Sequence, residues 1–336
     1  MTYNSMLALP SKGAIAEPTL SFLRDCGLKV DRPNDRQYTG SVPAVPGLGV
    51  LFQRVKDVLY KVADGTVQLG VTGFDVVHEF PNESLVVLHA GLGYGHCRLV
   101  VAVPESWVDV ESMADLRDIA ADLRQTQGRN LRVATTYTAS ARQFLHAQGI
   151  HHFTLVRAEG AIEAAPTIGY ADIVVDLVQT GTTLRENHLK PLDDGVIVES
   201  QACLVGNRDA LRVQPEVLES ARVMLEHMDA ALNARPYRQL TVNIQGDSAE
   251  SIAQRVAQNP ITRGLQGPTI APIYSPAAAA GGQWFTVTIN IQAKDLLNAV
   301  AYLRELGSSQ VVVSPVNFVF LGESSSYARL KIELGL

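Results

Sequence analysis

At 336 residues the chain is long enough for two or three domains, each with its own core. Its 46% apolar and 18% charged residues are ordinary for a soluble globular protein. A net charge of -6 argues against a nucleic-acid binder, whose affinity needs a basic face, while leaving room for a local basic pocket for phosphates. Cys26, Cys97 and Cys203 are isolated, with no C-x-x-C pair, and read as buried free thiols in a reducing cytoplasm. MTYNSMLALPSKG meets proline and lysine too soon for a signal peptide, and no apolar run approaches the length of a membrane span, so a cytoplasmic location away from membranes is expected.

Met6 to Leu9 reads as a first strand, followed by a turn at Pro10 to Gly13 and a helix from about Ile15 to Cys26. Lys12 then sits near a helix N-terminus, where a cation opposes the helix dipole by a few tenths of a kcal/mol. An anion bound there would account for it, and a solvated surface lysine is the plain alternative. Leu48 to Phe52 and Val67 to Val71 are further strands, each leading through a turn (Gln53 to Asp57, then Thr72 to Asp75) into a helix. Alternating strand, turn and helix predicts a parallel sheet with helical crossovers, with functional residues in the loops after the strands. Lys12, Arg54, Thr72 and Asp75 fall in such loops.

The same grammar restarts at Arg98 to Pro104 and continues through Leu131 to Ala134 and Phe153 to Arg157, with helices expected at Ser140 to Gln148 and Ala161 to Gly169. It ends in ADIVVDLVQTGTTLRENHLKPL, where an apolar strand, Ile173 to Val178, runs into Thr180-Gly181-Thr182-Thr183 and a helix start. Gly181 permits a backbone shape that lets consecutive N–H groups converge on one anion, and the hydroxyls and helix N-terminus add donors. No lysine sits in the turn, so a Walker A loop is excluded and a single phosphate is the better match. Asp176, just upstream, could accept hydrogen bonds from sugar hydroxyls or approach a hydrated Mg²⁺. Phosphate, ribose and metal together suggest a phosphoribosyl group; an ordinary helix-capping turn is the alternative. Val196 to Val205 is a late apolar segment expected to return to the first sheet, leaving a cleft between two lobes.

After a helical linker, Pro215 to Asn233, the expected order is strand (Leu240 to Gln245), helix (Ser248 to Gln258), strands (Thr269 to Tyr274 and Trp284 to Ile291), helix (Lys294 to Leu306) and strand (Val311 to Phe320). That βαββαβ order is ferredoxin-like, with PAAAAGG at 276 to 282 as a hairpin connection. The resulting boundaries are 1–97 with 189–213 for one lobe, 98–188 for the other, and 214–336 for the linker and C-terminal domain. Gly91 to Gly95 lacks the dinucleotide spacing, adjacent His151 and His152 cannot share a metal-binding helix face, and no serine has a nucleophile-elbow context.

LALPSKG, FQRVKDV with VADGTVQLGVTG, CRLVVAVP, EGAIEAAPTIGYADIVVDLVQTGTTLRENHL and GLQGPTIAP, in that order from about Met6 to near Phe320, resemble the ATP phosphoribosyltransferases in their long form. The resemblance implies a core with the fold of bilobed periplasmic binding proteins plus an ACT-like regulatory domain. It also implies transfer of a phosphoribosyl group from 5-phosphoribosyl diphosphate to N1 of ATP, with Mg²⁺ carried mainly by the substrate phosphates, and inhibition by L-histidine. Carried over by position, Asp176 and Thr180, Gly181, Thr182 and Thr183 would hold the ribose 5-phosphate, and Glu159, Gly160 and Glu163 would border ribose and diphosphate. Lys12, Arg54 and Arg98 would offer charge to phosphates, Thr72 and Asp75 would lie near the nucleotide, and Thr269 would face histidine. Assembly into dimers and hexamers is likewise implied. One acid in the loop, where common type I phosphoribosyltransferases have two, sets the chain apart from that fold. Two rival readings are a phosphoribosyltransferase with another acceptor and a bilobed ligand-binding module.

Overall fold

Short β-branched runs separated by glycine and proline turns become strands buried on both faces, and amphipathic stretches between them become the covering helices. In the computed structural model, which describes residues 3–34, 36–157, 160–274 and 283–336, the chain opens with β1 (Ser5–Pro10), α1 (Ala16–Asp25), β2 (Thr39–Ser41), β3 (Leu48–Gln53), α2 (Val55–Ala63), β4 (Leu69–Gly73), α3 (Phe74–Glu79) and β5 (Leu85–His89). A second series follows: β6 (Cys97–Pro104), α4 (Met113–Thr126), β7 (Leu131–Thr135), α5 (Thr138–Ala147), β8 (Phe153–Arg157), α6 (Ala165–Ile168), β9 (Ile173–Val178), α7 (Thr182–Glu186) and β10 (Leu189–Ser200). The rest is β11 (Ala202–Asn207), α8 (Arg208–Val213), α9 (Pro215–Ala234), β12 (Tyr237–Gly246), α10 (Ala249–Gln258), β13 (Thr269–Pro272), β14 (Gln283–Gln292), α11 (Leu296–Glu305), β15 (Val311–Pro315) and α12 (Ser325–Leu334).

The first lobe is a six-stranded sheet ordered β2-β3-β1-β4-β11-β5, in which β3, β1 and β4 are parallel. The second is a five-stranded sheet ordered β10-β6-β9-β7-β8. This is the bilobed α/β core expected from the sequence. Two segments cross between the sheets. One is the loop from β5 to β6, and the other is Gln201, between β10 and β11. The crossings are tied together: Leu92 N–H donates to the Ala202 carbonyl at 2.9 Å, Ala202 N–H to the Tyr94 carbonyl at 3.0 Å, and Gly93 N–H to Gln201 Oε1 at 2.8 Å.

Three expectations need correction. Residues 189–200, grouped with the first lobe, lie in the second sheet, because β10 pairs antiparallel with β6; the Val196 to Val205 segment breaks at Gln201, and only β11 joins the first sheet. The last strand stops at Pro315 and does not reach Phe320, since proline cannot donate to a ladder. The C-terminal residues 325–336 belong with the two lobes, not with the domain of residues 226–324. Leu330 and Leu334 of α12 are buried there, Arg329 Nη2 donates to the Leu88 carbonyl of β5 at 2.9 Å, and Glu333 pairs with Arg208 of α8 at 2.9 Å.

The unit of residues 226–324 carries the βαββαβ order as an antiparallel sheet, β13-β14-β12-β15. Ile252 and Val256 of α10 and Ala299 and Leu303 of α11 pack into its core with Leu240, Val242 and Val287, which makes it ferredoxin-like. PAAAAGG lies outside the described residues. Among the described residues no helix is long and apolar enough to cross a membrane.

In the first lobe Gly70 of β4 lies beneath α2, and a methyl group on it would come within 2.6 Å of Val58 Cγ1 and 2.9 Å of Val62 Cγ2. Gly70→Ala is therefore expected to lower stability by about 1–3 kcal/mol through overpacking, read as a lower urea midpoint at unchanged m-value. Combined with Val58→Ala, it should cost less than the sum of the two single losses.

Candidate active site

Between the two lobes lies a cavity of about 510 Å³. Its second-lobe wall is the turn from β9 into α7. Gly181 takes the left-handed conformation there, with φ of 76°, and turns the chain so that Thr180 to Leu184 line the cavity. Thr180 Oγ1 and Thr182 Oγ1 lie 3.0 Å apart, so the hydroxyls gather on one side of the turn. Among the described residues no side chain caps α7. Asp176 of β9 is half-buried in the same wall, with Oδ1 accepting the Leu177 N–H at 2.8 Å. Burial pushes its pKa up to about 6, the Leu177 N–H opposes the shift, and the charge of Glu163, also lining the cavity, adds to it.

The first-lobe wall comes from the starts of α1, α2 and α3, with Ile15, Lys56 and Asp75 lining the cavity. Asp75 is 5% exposed and fully engaged: Ser200 Oγ donates to its Oδ1 at 2.7 Å and the Tyr137 hydroxyl to its Oδ2 at 2.7 Å. Burial and then the neighbouring Asp75 drive the Tyr137 pKa far above the ordinary phenol value, so that hydroxyl remains a donor. Cys97 also reaches the cavity, and burial raises its pKa, which keeps it a thiol.

A second pocket, of about 540 Å³, opens on the same two first-lobe loops. Lys12 and Arg54 meet Arg32 and Arg36 there, four cations beside the carboxylate of Asp57 among the described residues. Arg32 is oriented by stacking 4.2 Å over the Phe52 ring and by donating from Nε to the Gln37 carbonyl at 2.7 Å. The two cavities share short stretches of chain: Lys12 and Arg54 line the basic pocket, while Ala14 and Val55 line the cleft.

Asp176, Glu163, Thr180 to Thr183 and Asp75 thus come together in the cleft, and Lys12 and Arg54 in the pocket beside it. Thr72 does not join them: it is fully buried, and its hydroxyl donates to the Val55 carbonyl at 3.0 Å, holding the start of α2. Arg98 is exposed on β6, between Val178 and Glu199, and is not part of the cavity wall. Gly160 is exposed and also outside the wall, and Glu159 lies outside the described residues. Thr269 is exposed on β13 in the other unit. Lys56, Arg32, Arg36, Tyr137 and Ser200 went unnoticed in the sequence. A signal existed for the two arginines, spaced four apart in the turn-rich VDRPNDRQY stretch, but nothing local marks Tyr137 or Ser200.

Two α/β lobes around a cleft, with a hydroxyl-rich turn on one wall and a basic pocket bordering the other, define a bilobed protein with the donors that a phosphorylated ligand needs. The family ATP phosphoribosyltransferase matches residues 54–229, and the family described as the HisG C-terminal domain matches residues 234–318. Over 98% of its length the chain is 40% identical to ATP phosphoribosyltransferase 2, chloroplastic, of Arabidopsis thaliana, covering 80% of that protein. It is 35% identical to the ATP phosphoribosyltransferase of Bradyrhizobium sp. (strain ORS 278), covering 97% of each. The ATP phosphoribosyl transferase (HisG:HisZ) complex from Thermotoga maritima contains a chain with the same fold, at a TM-score of 0.51 and 24% identity, over 67% of this chain and 98% of that one. The chain belongs to the ATP phosphoribosyltransferase family, and is a glycosyltransferase.

The raised pKa of Asp176 has a consequence for stability. Its folded value, about 6, lies above the ordinary 3.8, so between these values the native state holds more protons than the unfolded state, and stability falls as pH rises through that window. Asp176→Asn should therefore raise the thermal midpoint at pH 7.5, by a margin that shrinks towards pH 4. A margin independent of pH would mean that burial of the charge is not its source.

Proposed function

We propose that this cleft transfers the 5-phosphoribosyl group from 5-phosphoribosyl diphosphate to N1 of ATP, releasing diphosphate in the first step of L-histidine biosynthesis. The observation carrying this reading is the meeting of Asp176 and Thr180 to Thr183 from one lobe with Asp75 and Lys56 from the other in a single cavity. In this reading the threonine loop takes the 5-phosphate and ionised Asp176 accepts hydrogen bonds from the ribose hydroxyls. Asp75 and Lys56 border the adenine nucleotide, and Lys12, Arg32, Arg36 and Arg54 take phosphate charge at the edge of the cleft. Adenine N1 is already a nucleophile, so the protein's task is to hold it behind C1 of the ribose while the C1–O bond to diphosphate breaks. Such alignment can contribute about 7–11 kcal/mol to lowering the barrier. Cationic side chains offset the charge that develops on the leaving oxygens.

A Mg²⁺ suits this donor set. Glu163 lies close enough to Asp176 to raise its pKa, and Mg²⁺ usually takes only one or two carboxylates beside substrate phosphates and water. Such an ion would be carried mainly by the substrate phosphates. When bound there it would neutralise diphosphate charge. We further assign the ferredoxin-like unit to L-histidine, with Thr269 as a contact, and the active form to a cytoplasmic homo-oligomer, a hexamer built from dimers.

Ultraviolet absorbance with ATP, 5-phosphoribosyl diphosphate and Mg²⁺, coupled to pyrophosphatase, tests the reading. The expected result is a rise that needs both substrates and is suppressed by L-histidine. Asp176→Ala should abolish the rise with the fold intact, and Thr269→Ala should weaken the suppression while sparing the uninhibited rate. A wild-type rate in Asp176→Ala would remove the ribose assignment, and unchanged histidine sensitivity in Thr269→Ala would move the effector contact elsewhere.

A further inference from the structure

The N-terminus of α5 lacks the partner that a helix of its length ordinarily carries. Tyr137 is its N-cap residue and makes no side-chain cap, and there is no acid in the first turn. The N–H groups of the second and third helical residues, which a Ser, Asp or Asn cap would satisfy, have no such acceptor nearby in the sequence. They are satisfied from the other lobe. Glu79, the last residue of α3, is 3% exposed and accepts the Ala139 N–H through Oε1 and the Ser140 N–H through Oε2, both at 2.9 Å. The Thr138 hydroxyl approaches the same Oε1 at 3.5 Å, and His78 Nδ1 lies 2.9 Å from Ser140 Oγ.

We infer that Glu79 is a positioning residue for the transfer reaction, a helix cap supplied across the cleft that sets the spacing of the two walls. Its place on α3 supports this. Asp75 and Glu79 are four residues apart and share one helix face. That face presents one carboxylate to the Tyr137 hydroxyl and the next to the N–H groups that follow it. Tyr137, Ala139 and Ser140, within four consecutive positions, are thereby clasped to a single short helix of the opposite lobe. Opening the cleft would uncover two backbone donors and strip a buried carboxylate of its donors at once, so the walls resist separation there. The side chain lies outside the cavity wall. Its effect reaches the chemistry through Tyr137 and Asp75, which do line it.

The inference rests on the reaction proposed above, in which the ribose 5-phosphate is held by one wall and the adenine by the other. Loss of the clasp should then appear in the ternary complex, where the two must align, and not in the grip of one wall on one ligand. Steady-state kinetics of Glu79→Gln, calorimetric titration of ATP alone, and hydrogen exchange of residues 138–147 test it together. The variant keeps the shape but turns an amide N–H towards a backbone N–H. The expected result is a kcat lowered about 10- to 100-fold, as displacement by about 1 Å can cause. ATP affinity should change less than about threefold, and exchange should quicken at Ala139 and Ser140. Glu79→Asp, which keeps the charge and draws it back by one methylene, should recover part of kcat. An unchanged kcat in Glu79→Gln, or a loss confined to ATP affinity, would overturn the inference. If Glu79→Gln does not fold, Glu79→Asp decides: a wild-type kcat overturns the role, and a reduced kcat at unchanged ATP affinity supports it. An inactive wild-type enzyme would instead remove the proposed reaction, and the inference with it.

Discussion

Asp75 keeps its hydrogen bonds among groups that the chain delivers from three directions. Its own helix rises from the first sheet, Ser200 ends the last strand of the second sheet just before the crossing at Gln201, and Tyr137 begins a second-lobe helix. Both carboxyl oxygens accept a hydroxyl, and the Asp75 N–H returns a bond to Ser200 Oγ at 2.8 Å. An acceptor left unsatisfied in so buried a place would cost about 1–3 kcal/mol. The junction is therefore stable only with both lobes in register. Everything the cleft is proposed to do depends on that register, because the hydroxyl-rich turn and the basic pocket belong to different sheets.

The opposite wall accepts a penalty instead. Asp176 is half-buried beside Glu163, with one backbone N–H for support, and its raised pKa records an acceptor short of donors. Ribose hydroxyls or a metal ion would supply what the fold does not. A residue that the folded protein holds at a loss, in a cavity lined by hydroxyls, is better explained by a ligand than by packing. Asp172, four positions earlier on the same strand approach, makes the contrast: Arg132 and Arg129 bind it at 2.8 and 2.7 Å, and its pKa is lowered despite burial.

What was legible in the sequence was local. The strand, Asp176 and the Thr180 to Thr183 turn stand within eleven residues, and β-branched runs followed by glycine turns announce the parallel strands on their own. The βαββαβ order of the third sheet followed from the same periodicities. A strand's alternation does not say which neighbour the Thr72 hydroxyl meets, and here it meets the Val55 carbonyl. The crossing at Gln201 was hidden because apolar residues continue on both sides of it. Tyr137, Ser200 and Glu79 were beyond reach, since their partners lie 60 to 125 positions away and only the tertiary fold brings them together. The return of α12 to the lobes is of the same kind, settled by Leu330, Leu334 and Arg329 meeting surfaces laid down far earlier.

The most direct measurement is a crystal structure of the enzyme with 5-phosphoribosyl diphosphate bound. The account predicts the 5-phosphate within hydrogen-bond distance of Thr180 to Thr183 and the ribose hydroxyls on Asp176. A 5-phosphate seated elsewhere, with Asp176 turned away from the sugar, would contradict it.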